Sequence, residues 1–497
     1  MFKINTFKLN GMEAVPVTVE CDIEPGIGIH LVGLCDLAVK ESLLRTVTAL
    51  DALGFRIPGK RIIINLAPAD LRKSDCCYDL PIALAIIGAS GQADLKAADE
   101  YIVAGELGLD GSIREVSGWV QAALLAEETM KSALLPKKAA LLAADAVEGN
   151  VQVYSAGHLR EAVEILSGER PESTAYDLCS EVYSENQRSD ESYWDAIGHA
   201  GEKRALEIAA AGGHPVLMVG GPGRDKAMLA KALLEILPIM TMSEGMEVLK
   251  VYSTAGHPIE PGRRPFREVC QATDMVSLLG GGAGECVLPG AVSLASNGVL
   301  LFDEFLLAPK TVKAAMASVL DCKEVTLSRL KSVVKYPAKF FPVFAMQPCP
   351  CGLSGGGDLC RCSPEDRLKY FSKVPGEIYE RLTLQMIVHG EPWSVGKVED
   401  TAFVVAERVF KARERQMARQ GCLNNELKNG MICDHRYLGE LAFDALNRAM
   451  STIGLSPRAY SNIIRIARTI ADLEGAESIG PLHIYEAASY RFLDRGL

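Results

Sequence analysis

Apolar residues fall on alternate positions at Val15, Val17, Val19 and Cys21, the period of a strand with one buried face. Strand-like runs recur at residues 61–65 and 101–104, and residues 109–113 carry the Asp-Gly pair of a tight hairpin turn. Residues 37–53 and 80–88 have helical character, so residues 1–168 are predicted to form a mixed α/β or α+β domain. Residues 169–192 are acidic, serine-rich and without an apolar period, which predicts a solvated linker. A helix over 202–211 then feeds an all-apolar strand at 216–219, and a second helix follows a glycine-rich turn and ends near Leu237. Beyond Thr401 the period becomes helical throughout, over 402–419, 438–452, 457–473 and 482–492. The pattern therefore divides the chain into an α/β core over 193–395 and a helical domain over 396–497.

Composition adds bounds to this picture. The chain has 497 residues, of which 48% are hydrophobic and 23% charged, enough to build two to three cored domains. Its formal net charge of −11 excludes a uniformly basic coat for nucleic acid, so any DNA contact has to come from a local groove, pore or hairpin. The N-terminus lacks an apolar segment of signal-peptide length, and the most apolar stretch, 80–89, is short and contains Pro81; the expected location is the cytoplasm. Without a secretory signal, the 14 cysteines read as thiols or metal ligands rather than as a disulfide framework.

The turn after residues 216–219 reads Gly220-Gly221-Pro222-Gly223-Arg224-Asp225-Lys226-Ala227. A phosphate-binding loop follows G-x-x-x-x-G-K-[ST]: its backbone N–H groups cradle phosphates, its lysine reaches the β/γ oxygens and its hydroxyl holds Mg²⁺. Here Gly220 and Lys226 remain. Asp225 replaces the second glycine and Ala227 the hydroxyl residue. A carboxylate about 4 Å from a phosphate costs roughly 1 kcal/mol per unit charge in water and about 4 at an effective dielectric of 20; neighbouring Arg224 offsets part of this. Alone, a Gly/Pro-rich turn after an apolar strand is often a mere connector. Downstream, however, residues 298–304 form a second apolar strand ending in Asp303 and Glu304. That is the order in which such a site needs a metal-holding acid and a water-activating acid.

Two other constellations carry chemistry. Cys349-x-Cys351 and Cys360-x-Cys362 offer four soft ligands that can close tetrahedrally on Zn²⁺; the alternatives are reduced thiols around a loop or a redox pair. Ser328, Arg329, Lys331, Lys335 and Lys339 place positive charge along a strand-like segment, either a phosphate-holding hairpin or a solvated face. No base-reading motif accompanies them.

Long ordered segments make the chain resemble the magnesium-chelatase-like AAA+ family of the ComM (YifB) type over nearly its whole length. They are residues 33–42, 65–73 and 78–83 in the first domain, 204–214, 298–304, 324–329 and 348–352 in the core, and 455–460 with 465–472 in the helical domain. The resemblance implies an N-terminal domain like that of Lon protease (ribosomal-protein-S5-like), an AAA+ P-loop core and a helical lid, assembled as a ring, hexameric in the usual case. It also implies ATP and Mg²⁺ as cofactors and branched or single-stranded DNA, read without sequence specificity, as partner. Gln347 stands at the family's asparagine sensor, Arg381 at its arginine finger and Arg458 at the lid sensor. Thr383 departs from the family's acid after the finger, and Asp79 stands where the Lon-like fold carries its serine, which argues against proteolysis.

Three functions follow. The altered loop favours a ComM-like protein of DNA recombination or transformation whose ATP hydrolysis is weakened or lost, a regulatory or structural paralogue that lends Arg381 to an intact partner in a mixed ring. The others are a fully active DNA motor and a metal-chelatase motor subunit.

Overall fold

The computed structural model describes every residue except 34–36, 69–75, 145, 148–150, 170–191, 197–199, 224, 283–286, 329–332, 354–359, 390–399, 428–437, 454–456 and 496–497. The predicted linker lies almost wholly outside the described residues. In the first domain, β1 (Phe2–Asn10), β2 (Glu13–Glu24), β3 (Gly28–Val32), β4 (Arg61–Ala67), β5 (Tyr101–Val103), β8 (Ser132–Pro136) and β9 (Val153–Ala156) form a seven-stranded mixed sheet in the order β3-β4-β2-β1-β5-β8-β9. Between β5 and β8, the two-residue strands β6 (Glu106–Leu107) and β7 (Ile113–Arg114) pair antiparallel around the predicted Asp-Gly turn, where Gly111 has φ +86°. The alternation seen at residues 15–21 is realised in β2, whose Val17, Val19 and Cys21 are buried. Leu37–Ala52 and Asp79–Ser90 are helices as expected, the latter buried almost all round.

The core sheet contains β10 (Val216–Val219), β11 (Phe266–Val269), β14 (Val299–Phe302), β17 (Phe341–Met346) and β18 (Leu384–Ile387), all parallel, in the order β11-β14-β17-β10-β18. Strands covered on both faces read as continuous apolar runs, and alternate residues of these strands enter two separate clusters. Val216, Met218, Leu301 and Val343 face the helices Ala200–Gly212, Lys226–Ile236, Ala402–Gln420 and Pro457–Glu474. Leu217, Leu300, Phe302 and Phe344 face the helix Lys310–Cys322 and Phe305. The AAA+ α/β core is thus a three-layer sandwich. Two further short pairs project from it: β12 (Gly280–Gly281) with β13 (Leu288–Pro289), and the hairpin β15 (Glu324–Ser328) with β16 (Val333–Pro337).

The C-terminal region is helical, with Ala402–Gln420, Glu440–Ile453, Pro457–Glu474 and Pro481–Ser489 matching the four predicted helices to within three residues at either end. Its attachment is partly ionic. Glu207, buried in the helix Ala200–Gly212, accepts from Arg204 at 3.0 Å and from Arg408 at 2.7 Å, and Arg408 also reaches Asp400 at 2.8 Å. Arg204 continues the network to Glu486 at 2.9 Å.

The first domain docks through the core helix Met242–Ala255 onto the helix Trp119–Glu128. The backbone N–H groups of Gly118 and Val120 donate to the Ser253 carbonyl and hydroxyl, at 2.9 and 3.0 Å. Gln121 donates to the Lys250 carbonyl and to Thr254, each at 2.9 Å, and Leu249 enters the first domain's core. No described helix is long and apolar enough to cross a membrane.

Candidate nucleotide site

Parallel sheets present their loops at the carboxyl ends of the strands, where helix N-termini and chain reversals create a crevice. The strand order decides which loops meet. β17 lies between β10 and β14, with Val219 opposite Met346 and Phe302 opposite Phe344. The loop 220–227, Gln347 and the acids 303–304 therefore emerge side by side on strands spaced about 4.8 Å apart.

Lys226 begins the helix Lys226–Ile236 and is 7% exposed. Its ammonium donates to the Gly220 carbonyl at 3.1 Å and to that of Gly221 at 3.4 Å, and stands 3.9 Å from Glu304 Oε1. Gln347 Nε2 donates to the same Oε1 at 3.1 Å. Glu304 Oε2 is buried and has no partner, and the residue has φ +47°, a left-handed backbone that costs about 1–3 kcal/mol in a non-glycine residue and gathers at functional sites. Asp303 Oδ1 accepts from the Glu304 N–H at 3.0 Å. The predicted residues Lys226, Asp303, Glu304 and Gln347 are thus brought into one crevice.

The fit to a nucleotide with Mg²⁺ is partial. Lys226 and the acid pair supply the charges such a ligand needs, and the orphaned carboxylate oxygen supplies an unused acceptor. Against this, Asp225 is the N-cap residue of the helix and makes no side-chain cap bond. An acid at the N-cap adds negative charge next to the helix N-terminus, where dipole and free N–H groups would otherwise attract an anionic ligand. Ala227 offers no metal ligand. Pro222 and Gly223 are exposed at the loop's tip, while Arg224 lies outside the described residues.

Arg381 is at the opposite edge of the sheet. It ends the helix Gly376–Arg381 just before β18, and its Nε donates to Asp321 Oδ1 at 2.7 Å, with Nη2 bonded to the other carboxylate oxygen. It lines a cavity of about 520 Å³ with Pro215, Gly298, Phe341 and Thr383, all at the amino ends of the core strands. The Arg458 side chain lies outside the described ones. So do Arg329 and Lys331, in the connection of the β15–β16 hairpin. Lys335 is ion-paired to Glu324 at 3.0 Å and Lys339 to Glu247 at 2.9 Å, although both remain exposed.

The Sγ atoms of Cys349, Cys351, Cys360 and Cys362 all lie within 4.8 Å of one another. The neighbours that sequence reasoning missed are Gly352, Asp321 and Tyr370. Gly352 has φ +77°, and a Cβ there would come within 3.0 Å of both Gln347 Oε1 and Pro222 Cδ. Only its glycine identity, directly after Cys351, signalled a close approach.

In the first domain, Asp79 is fully buried and is bonded by the Ser42 hydroxyl, by Arg45 at 2.8 Å and by the Leu107 N–H at 3.1 Å. Burial raises its pKa, while the Arg45 and Ser42 bonds oppose that shift.

Comparison with known proteins gives matches along nearly the whole chain. The family model described as magnesium chelatase, subunit ChlI, matches residues 193–395; subunit ChlI of Mg-chelatase matches 19–139; and the ChlI C-terminal model matches 399–491. The chain is 36% identical to the competence protein ComM of Haemophilus influenzae over 494 residues, covering 98% of this chain and 96% of that protein. It is 35% identical to YifB of Salmonella typhimurium over 506 residues (99% and 97%) and 35% identical to YifB of Escherichia coli over 510 residues (99% and 97%). With this similarity along its full length and a parallel AAA+ core, the chain belongs to the ComM/YifB family of magnesium-chelatase-like AAA+ proteins.

Proposed function

We propose that this protein is a ring-forming cytoplasmic AAA+ protein of DNA recombination or transformation, similar in role to ComM, in which ATP binding and hydrolysis are attenuated. The observation that carries the attenuation is Asp225 with Ala227 in an otherwise assembled crevice. Bound ATP·Mg²⁺ would supply a transferable phosphoryl group and a divalent charge. The chain would hold it with Lys226, the loop N–H groups and Asp303. Glu304, held by Gln347, would orient and deprotonate water through Oε2. Phosphoryl transfer depends almost wholly on positioning and charge stabilisation, so a misplaced carboxylate and a missing metal ligand weaken every part of it.

Arg381 supports a ring. At the amino edge of the parallel sheet it faces away from the crevice of its own subunit, so a role on phosphate requires a neighbouring subunit's site. Asp321 holds its guanidinium in a fixed fork meanwhile. The residues 396–497 would act as the lid, and the first domain as a Lon-like scaffold without proteolysis, since buried Asp79 stands where that fold carries its serine. DNA, if it meets the β15–β16 hairpin, would compete with Glu324 and Glu247 for Lys335 and Lys339. Retention of Lys226, Glu304 and Gln347 favours, as a second reading, a fully active motor.

Calorimetric titration with ATP and Mg²⁺ separates the two. Attenuation predicts weak or undetectable binding, and Asp225→Gly with Ala227→Thr should strengthen it by at least the roughly 1 kcal/mol that removing one like charge is worth in water, with hydrolysis rising in parallel. Micromolar binding by the unaltered chain, or no gain in the double variant, would overturn the assignment of these two positions as the lesion.

A further inference from the structure

We propose that Cys349, Cys351, Cys360 and Cys362 form a structural Zn²⁺ site that braces Gln347 and the phosphate loop. The ligand geometry stands without any nucleotide, whereas the bracing role rests on the nucleotide-site reading above. Zinc–thiolate bonds of about 2.3 Å in a tetrahedron place sulfurs about 3.8 Å apart. The Sγ separations here are 3.3 Å for Cys349 to Cys351, 3.7 Å for Cys349 to Cys360 and 3.6 Å for Cys351 to Cys360. Four sulfurs without an oxygen ligand select zinc over magnesium or calcium. Binding would release four thiol protons to solvent and leave the centre with two negative charges. Arg367, whose Nη2 lies 3.6 Å from Cys360 Sγ, is placed to compensate part of that charge.

Two segments that follow Gln347 tie it to the site. Cys349 follows Gln347 by two residues, is fully buried, and accepts the Gly352 N–H at 3.0 Å through its carbonyl. That turn seats Gly352 against the Gln347 amide and Pro222. Downstream, Ser363 follows Cys362 and caps the helix Pro364–Phe371, accepting the Asp366 N–H at 3.1 Å while Asp366 accepts the Ser363 N–H at 3.0 Å. The helix carries Tyr370, 4% exposed, which packs into the same apolar cluster as Phe344 and Met346 of β17, the strand that ends immediately before Gln347. A metal closing the two knuckles therefore shortens the free chain between the residue that holds Glu304 and the helix that carries Tyr370.

The test uses the full chain, purified under reducing conditions without chelator. Mass spectrometry should find zinc equimolar with chain, and Co²⁺ replacement should give the visible bands of tetrahedral thiolate cobalt. Cys351→Ser, at an exposed ligand, should lose the metal while circular dichroism stays native, and Arg367→Gln should weaken metal affinity roughly 10- to 100-fold. Stripping the metal should speed hydrogen exchange in residues 343–352 and leave first-domain peptides unchanged. Metal-free protein, a disulfide among the four thiols, an octahedral cobalt spectrum, or unchanged exchange at 343–352 would each overturn the proposal. Stoichiometric zinc in an Asp225→Gly/Ala227→Thr chain that gains no affinity for ATP would leave the metal site standing and remove the nucleotide reading instead.

Discussion

His214, two residues after the helix Ala200–Gly212, is fully enclosed, and its Nε2 lies 2.8 Å from Thr469 Oγ1 in the C-terminal helix Pro457–Glu474. Burial pushes its pKa down to about 3, with Arg465 acting in the same direction and Asn425 opposing. The unfolded chain takes up this proton near pH 6.5, whereas the folded chain refuses it until about pH 3. Stability is therefore full above pH 6.5 and falls with pH below it, by at most about 1.4 kcal/mol per unit for this one group. Urea midpoints at pH 7.5 and 5.5 should show that loss, and His214→Gln should reduce the difference between them. An unchanged difference would assign the acid sensitivity to other groups.

The spacing between β14 and β11 depends on Gly298. A Cβ at that position would lie 1.9 Å from the Pro265 carbonyl oxygen, and the same oxygen accepts the Val299 N–H at 2.9 Å. Backbone cannot retreat there without breaking the β11–β14 pairing. Gly298→Ala should thus destabilise the core by about 1–3 kcal/mol, the usual cost of overpacking, read as a lower chemical midpoint. Because β14 delivers Asp303 and Glu304, the same change should displace the acid pair. Of the element pattern, the apolar runs at 216–219 and 298–302 were legible because strands buried on both faces tolerate no polar residue. β11 was not, since Arg267 and Glu268 break its apolar character, and only its parallel pairing with β14 makes Phe266–Val269 a strand.

The first domain and the core are joined by specific bonds rather than by the linker alone. Ser253 and Gln121 together satisfy several backbone groups at the ends and faces of two helices, and an unpaired buried polar group costs about 1–3 kcal/mol. Gln121→Leu combined with Ser253→Ala should weaken docking enough to split one calorimetric transition into two; a single unchanged transition would show that packing of Leu249 suffices. The β15–β16 hairpin adds a second contact, since Val334 and Tyr336 cluster with Met12 in the β1–β2 turn.

The candidate site was legible as a set of residue types in a fixed order: Lys226, then Asp303 and Glu304, then Gln347 and the cysteines. Local chemistry alone also determined the altered loop, because a carboxylate at Asp225 and a methyl at Ala227 oppose a metal–phosphate ligand in any fold. Tertiary structure decided which of these residues meet. The β17 strand between β10 and β14 makes Gln347 the link to Glu304, and the parallel sheet sends Arg381 to the far edge, where Asp321 holds it. The packing of Gly352 between Pro222 and Gln347 is likewise invisible in one dimension. Sequence carries the identity of a group and its neighbours along the chain, whereas distances between strands tens of residues apart arise only when the apolar faces are buried together.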